Sequence, residues 1–267
     1  MTNQSENSSR LEDWAQPVDR LKVSGLQSGA VNLNVEGRRI TGPVQGFGQL
    51  WQKTYTIRLK NSPLSPQEVI RGWKENFASF WPKGNRFYGQ MAVNNDPMNV
   101  DSGKLPGIAT GQVAVLNLSG PGGINPPGGG PLISTGIMVI YSDDESFSFM
   151  TPEGHIFAAM ITFSAERQDA DTVAQIQALV RASDPFFEFT LRLGFGHKME
   201  DSFWLQTLRN LAAHFGASGS EPEFRKVLVD PRLQWGEAKN IWQNAAIRTT
   251  FYTLAAPLRG IARLIKK

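Results

Sequence analysis

Apolar and polar positions alternate along much of this chain, and the alternation predicts strands. Val31, Leu33 and Val35 share one face ahead of a Glu36-Gly37 turn; Tyr55, Ile57 and Leu59 alternate with Thr54, Thr56 and Arg58. From 111 to 180 strand follows strand. Val113 and Val115 begin the series, followed by Ile137, Val139 and Tyr141, then by Phe147 and Phe149. Phe157, Ala159, Ile161 and Phe163 alternate next, and Ala174, Ile176, Ala178 and Val180 complete it. The separators are a Gly/Pro-rich stretch over 120–131 and the polar turns Ser142-Asp143-Asp144-Glu145 and Gln168-Asp169-Ala170-Asp171. Short polar turns between half-buried strands indicate antiparallel hairpins.

The period becomes helical in three places. Ser65-Pro66 with Glu68 forms a capping box with proline at the first helical position, and Val69, Trp73, Phe77 and Phe80 follow at helical spacing up to Pro82. Over 184–215 the chain predicts one long helix or two joined pieces. Ser183 or Asp184 caps it, Gly194 and Gly196 kink or break it, and Trp204, Leu208, Leu211 and Phe215 form one apolar stripe that ends at Gly216. Beyond it, Ile247, Phe251, Leu254, Leu258, Ile261 and Ile265 recur at four- and three-residue steps opposite Arg259, Arg263 and Lys266, a basic amphipathic helix bent at Pro257. The expected organisation is a disordered segment over 1–25, an α+β domain over 26–216, and a linker with an amphipathic tail over 217–267.

Composition narrows the function classes. There is no cysteine, which excludes disulfides, thiolate metal sites and a cysteine nucleophile. Residues 1–20 lack the apolar core of a secretory signal, and no apolar run is long enough to span a membrane, so a cytoplasmic protein is expected. Net charge is +3, but nine Lys or Arg against Asp230 and Glu237 give residues 225–267 a charge of +7, leaving −4 on the remainder. A near-neutral body with a basic tail is not the footprint of a nucleic-acid-binding domain.

Candidate chemistry centres on histidine. His197, Glu200 and Asp201 stand at i, i+3 and i+4 of a helix and share a face, so all three could point at one metal or one substrate proton, although the commoner origin of such spacing is a solvated helix face. His155, with Glu153, lies in the turn-like Thr151-Pro152-Glu153-Gly154-His155 and is either a catalytic partner from the opposite strand or a hydrogen-bonding turn residue. The glycine-rich stretch 120–131 lacks the G-K-[ST] of a phosphate loop and precedes a strand, so it is not a nucleotide site. No G-x-S-x-G elbow occurs, and no cofactor or metal is implied.

The stretches GFGQLWQKTYTIRL (46–59), STGIMVIYSDDESFSFMTPEGH (134–155) and ASDPFFEFTLRLGFGHKMEDSFW (182–204), in this order of elements, resemble the START-like, SRPBCC-type helix-grip superfamily over about residues 45–216. The resemblance implies a curved antiparallel sheet wrapped around a long C-terminal helix, with an elongated apolar cavity between them. Trp51, Trp73, Phe157, Phe163, Trp204 and Leu208 are the candidates to line such a cavity. The implied activity is binding of a hydrophobic small molecule or lipid. An alternative is a cyclase- or lyase-type enzyme using His155, His197 and Glu200 on an apolar substrate. For the tail, three readings stand: an anionic membrane surface engaged by residues 247–267, docking on a partner, or packing against its own domain.

Overall fold

The computed structural model describes residues 13–23, 26, 28–90, 108–120, 123–126 and 130–256. Among them, β1 is Ile40–Thr41, β2 Leu50–Leu59, α1 Pro66–Glu75, β3 Arg86–Gln90, β4 Val113–Leu118, β5 Ile133–Ser142, β6 Ser146–Pro152, β7 Phe157–Gln168 and β8 Asp171–Ala182. They are followed by α2 Pro185–Arg192, α3 Phe195–His214, β9 Glu223–Asp230 and α4 Ala245–Leu254. The nine strands form one sheet in the order β3-β4-β5-β6-β7-β8-β2-β9, with β1 paired to β6. Every pairing is antiparallel. A meander from β3 to β8 thus returns to β2, and the inner face receives α1 and α3. This is the α+β helix-grip architecture.

Local chemistry explains the helices. The Ser65 hydroxyl accepts from the Glu68 amide at 3.2 Å, and the Glu68 carboxylate accepts from the Ser65 amide at 2.7 Å. Asp184 caps α2 through the amides of Phe186 and Phe187. The α2–α3 break falls at Gly194, whose φ of +82° is the left-handed conformation glycine adopts without strain. Gly216, at φ +80°, closes α3.

The inner face carries a core of interlocked aromatics. Phe147 and Phe163 stack at 4.7 Å across β6 and β7. Trp73 of α1 meets Phe163 at 5.3 Å and Trp204 of α3 meets it at 5.6 Å, both edge-on. A second cluster of Phe157, Ala159, Val180, Phe187 and Leu191 fills the end of the hollow beneath α2.

Three expectations are corrected. Val31, Leu33 and Val35 do not form a strand: this stretch bends, Val35 packs into a cluster with Leu21, Tyr88, Val115 and Met138, and Asn34 donates to the Ser134 carbonyl at 2.7 Å. The described part of the N-terminal segment is ordered against the sheet, with Trp14 bridged to Tyr141 and Leu21 buried; residues 1–12 lie outside the described residues. The stretch read as linker contains β9, whose Leu228, Lys226 and Phe224 stand opposite Trp51, Lys53 and Tyr55 of β2. Arg181 fixes its end by donating to Asp230 at 2.9 Å.

The start of the tail helix packs on its own domain, but not through the expected stripe. In α4 Ala245 and Thr249 are buried, whereas Phe251 and Leu254 are 69% and 71% exposed. The surface it meets is polar: Thr249 accepts from the Ser134 amide at 3.0 Å, and the Asn34 side chain donates to the Ala245 carbonyl at 3.4 Å. Small and hydroxylated side chains fit that surface, and large apolar ones turn away. Pro257, Leu258, Ile261 and Ile265 lie outside the described residues.

Candidate functional site

On β2 the odd-numbered positions face the hollow, and Lys53 occupies one of them between Trp51 and Tyr55. Its side chain is fully buried. Two carboxylates from the first turns of α3 meet it: Glu200 Oε2 at 2.6 Å and Asp201 Oδ1 at 2.7 Å. The Tyr55 hydroxyl donates to the same Asp201 oxygen at 2.7 Å. His197, one turn earlier, places Nδ1 4.0 Å from Glu200 Oε2, beyond hydrogen-bond distance, and this buried nitrogen has no partner among the described residues.

Aromatics and a second cation complete the surroundings. Trp51 meets the His197 ring at 5.7 Å and Phe157 faces it at 6.4 Å. Phe224 of β9 stacks on Tyr55 at 4.9 Å, and the Lys226 ammonium lies 5.4 Å from the centre of the Trp51 ring. The cluster sits under the edge of the grip and is not sealed. The Lys53 side chain is 0% exposed, but those of Glu200, Asp201 and His197 retain 10%, 15% and 19%.

Burial and charge move the titrations in opposite directions. His197 is lowered to about 4, first by burial and then by Lys53, so it is neutral at pH 7. Burial raises the Glu200 carboxyl against the opposing pull of Lys53. Burial, with Glu200 and Asp201 beside it, raises the Tyr55 phenol and holds it protonated. At neutral pH an uncharged imidazole thus stands 4.0 Å from a carboxyl that burial makes harder to ionise.

The predicted residues divide accordingly. His197 and Glu200 converge, with Trp51 and Phe157 against them. His155 does not join them: its Nδ1 lies 3.1 Å from the Phe157 amide, and burial lowers it to about 4, as befits a turn-fixing residue. Glu153 pairs with Arg39 at 2.7 Å. Trp73, Phe163 and Leu208 are 0% exposed and Trp204 is 8% exposed, packed as core where the sequence reading had them line a cavity. The space expected between sheet and long helix is occupied by these side chains. Sequence reasoning missed Lys53 and Tyr55, although a lysine on the buried register of a strand was a readable signal.

Among the described residues no group of three or more His, Asp or Glu side chains is arranged to hold a metal. No family model and no curated protein matches this chain. Solved structures similar to it include the di-domain ARO/CYC StfQ from the steffimycin biosynthetic pathway, at 8% identity over 64% of this chain, with a TM-score of 0.43. That match spans 52% of the length of StfQ. The KanY protein is similar at 10% identity over 63% of this chain and 99% of its own, with a TM-score of 0.40. Ara h 8.0201 is similar at 8% identity over 62% of this chain and 99% of its own, with a TM-score of 0.38. At this level of similarity the fold rests on the strand order of the chain itself.

Proposed function

We propose that this protein binds a hydrophobic small molecule at the partly open mouth of the grip, where the β2–β9 edge meets the first turns of α3. One observation carries the reading: Lys53, Glu200 and Asp201 are held together on the inner face of the sheet among Trp51, Phe157 and Phe224. Removing ions from water costs several kcal/mol each, and well-packed apolar residues commonly do as well or better for stability. A polar cluster bordered by aromatics and still touched by solvent suits recognition of a ligand with an apolar body and one hydrogen-bonding group. The ligand's body lies against Trp51 and Phe157 and its polar group reaches the Lys53 cluster. The test is native mass spectrometry of gently purified full-length protein. A bound apolar molecule, depleted in Trp51→Ala, is the expected result; wild-type protein free of any adduct, or an adduct unaffected by the substitution, contradicts the reading.

A second reading, acid–base chemistry on the bound molecule, is favoured by the opposed titration of His197 and Glu200 at 4.0 Å. Under it, Glu200→Gln accumulates the unreacted molecule, so the bound species differs in mass between variant and wild type. Identical species in both leave binding alone.

The outward-facing Phe251 and Leu254 support a further part of the proposal, attachment of the C-terminal region to an anionic membrane surface. The sequence beyond them, residues 257–267, adds Arg259, Arg263, Lys266 and Lys267 and no acidic residue.

A further inference from the structure

A cavity of about 240 Å³ lies outside the grip, between the Arg39–Thr41 segment, the β6–β7 turn and the helical turns of residues 235–243. It is smaller than the roughly 300–1,000 Å³ typical of sites for drug-sized ligands. Its walls are polar. Arg39 and Glu153 stand paired on one side, and Glu237 and Lys239 belong to the other. Neither Glu237 nor Lys239 has an ion-pair partner among the described residues.

The floor includes Ser183. Its amide donates to the Ile156 carbonyl at 3.1 Å, and its carbonyl accepts from the Asn240 side chain at 3.1 Å. Its hydroxyl has no partner, although the residue is only 4% exposed. Asn240 also donates to the Gln45 carbonyl at 2.9 Å, which fixes the 235–243 turns over the cavity. Gly154 allows the close approach on which this depends: a Cβ there would fall 1.9 Å from the Gln243 carbonyl oxygen.

We infer that this cavity binds a small zwitterion of the size and chemistry of a free α-amino acid. The lining contributes two cations and two anions and so favours neither a net anion nor a net cation. The uncommitted Lys239 ammonium meets the ligand carboxylate, and the uncommitted Glu237 carboxylate meets its ammonium.

The experiment is saturation-transfer NMR on the full-length protein with the standard L-amino acids, followed by the N-acetyl and carboxamide derivatives of any that bind. At least one free amino acid is expected to bind, and each derivative, lacking one charge, is expected to lose the signal. Hydrogen bonds to charged groups contribute about 1.5–3 kcal/mol, so Lys239→Ala and Glu237→Gln should each weaken binding by about 10- to 100-fold. Lys239 is exposed, so its replacement leaves the fold intact. Absence of binding by every amino acid overturns the inference, as does equal binding of the derivatives or unchanged binding by both variants.

Discussion

Lys53 and His197 are the residues whose chemistry separates this grip from a plain packed core. Replacing Lys53 by Met leaves Glu200 and Asp201 partly buried beside each other without their cation. Breaking such a buried pair destabilises by about 3–5 kcal/mol. Glu200 already has a raised pKa in the folded chain, and the substitution raises it further. A raised carboxyl stabilises the fold below its unfolded pKa and loses that contribution as pH rises through the folded one. The Lys53→Met deficit is therefore expected to be largest at neutral pH and to shrink on acidification, as read from urea midpoints across pH. His197 has the opposite sign. Its folded pKa of about 4 lies below the ordinary 6.5, so the stability tied to its neutral form is present above 6.5 and lost as pH falls toward 4. At about 1.36 kcal/mol per pH unit, full loss is on the order of 3 kcal/mol. His197→Gln should flatten the acid limb of the stability profile over that window, leaving the slope due to His155. An unchanged slope would place His197 in water.

At the scale of elements, β9 shows where sequence reading succeeded and where it stopped. The strands from β4 to β8 were legible because apolar residues recur at every second position, as Phe157, Ile161, Phe163, Ala174 and Ile176 do in β7 and β8. The helix α1 was legible because Ser65, Pro66 and Glu68 act locally. β9 was not, because it lies at a sheet edge with both faces largely exposed, and Arg225 and Lys226 mask its pattern. The stretch 31–37 failed for the reverse reason: Val35 is buried, and Val31 and Leu33 partly so, by tertiary contact without a ladder. The site was half legible. His197, Glu200 and Asp201 could be seen from helical spacing, but the lysine that joins them comes from a strand 147 positions away from Glu200. A chain ending at Gly219 loses β9, exposing the edge of β2 and the Tyr55 ring that Phe224 covers. Such a chain is expected to aggregate on size-exclusion chromatography where the full chain elutes as a discrete species. A discrete, stable truncated species would mean that β9 adds nothing to the sheet.

Across the whole molecule, the grip, the polar cavity and the outward apolar face of α4 are built from different residues, which lets each be tested alone. Among the described residues no helix is long and apolar enough to cross a membrane. The proposed membrane attachment rests on Phe251, Leu254 and the basic residues that follow in the sequence, and the informative truncation ends at Ala256, the last described residue. Full-length protein should co-sediment with phosphatidylserine vesicles in low salt, and the chain ending at Ala256 should bind markedly less. Equal sedimentation of the two would remove the basic tail from the account. The aromatic core makes a complementary demand on the grip: with Trp73 and Phe163 sealed, a ligand must stay at the mouth.

The most direct measurement of that demand is a titration of isotope-labelled protein with 8-anilinonaphthalene-1-sulfonate, followed through the tryptophan indole N–H signals. Binding at the mouth shifts Trp51 and leaves Trp73 and Trp204 in place. Shifts confined to the exposed Trp235 and Trp242, or a Trp51 signal that never moves, would contradict it.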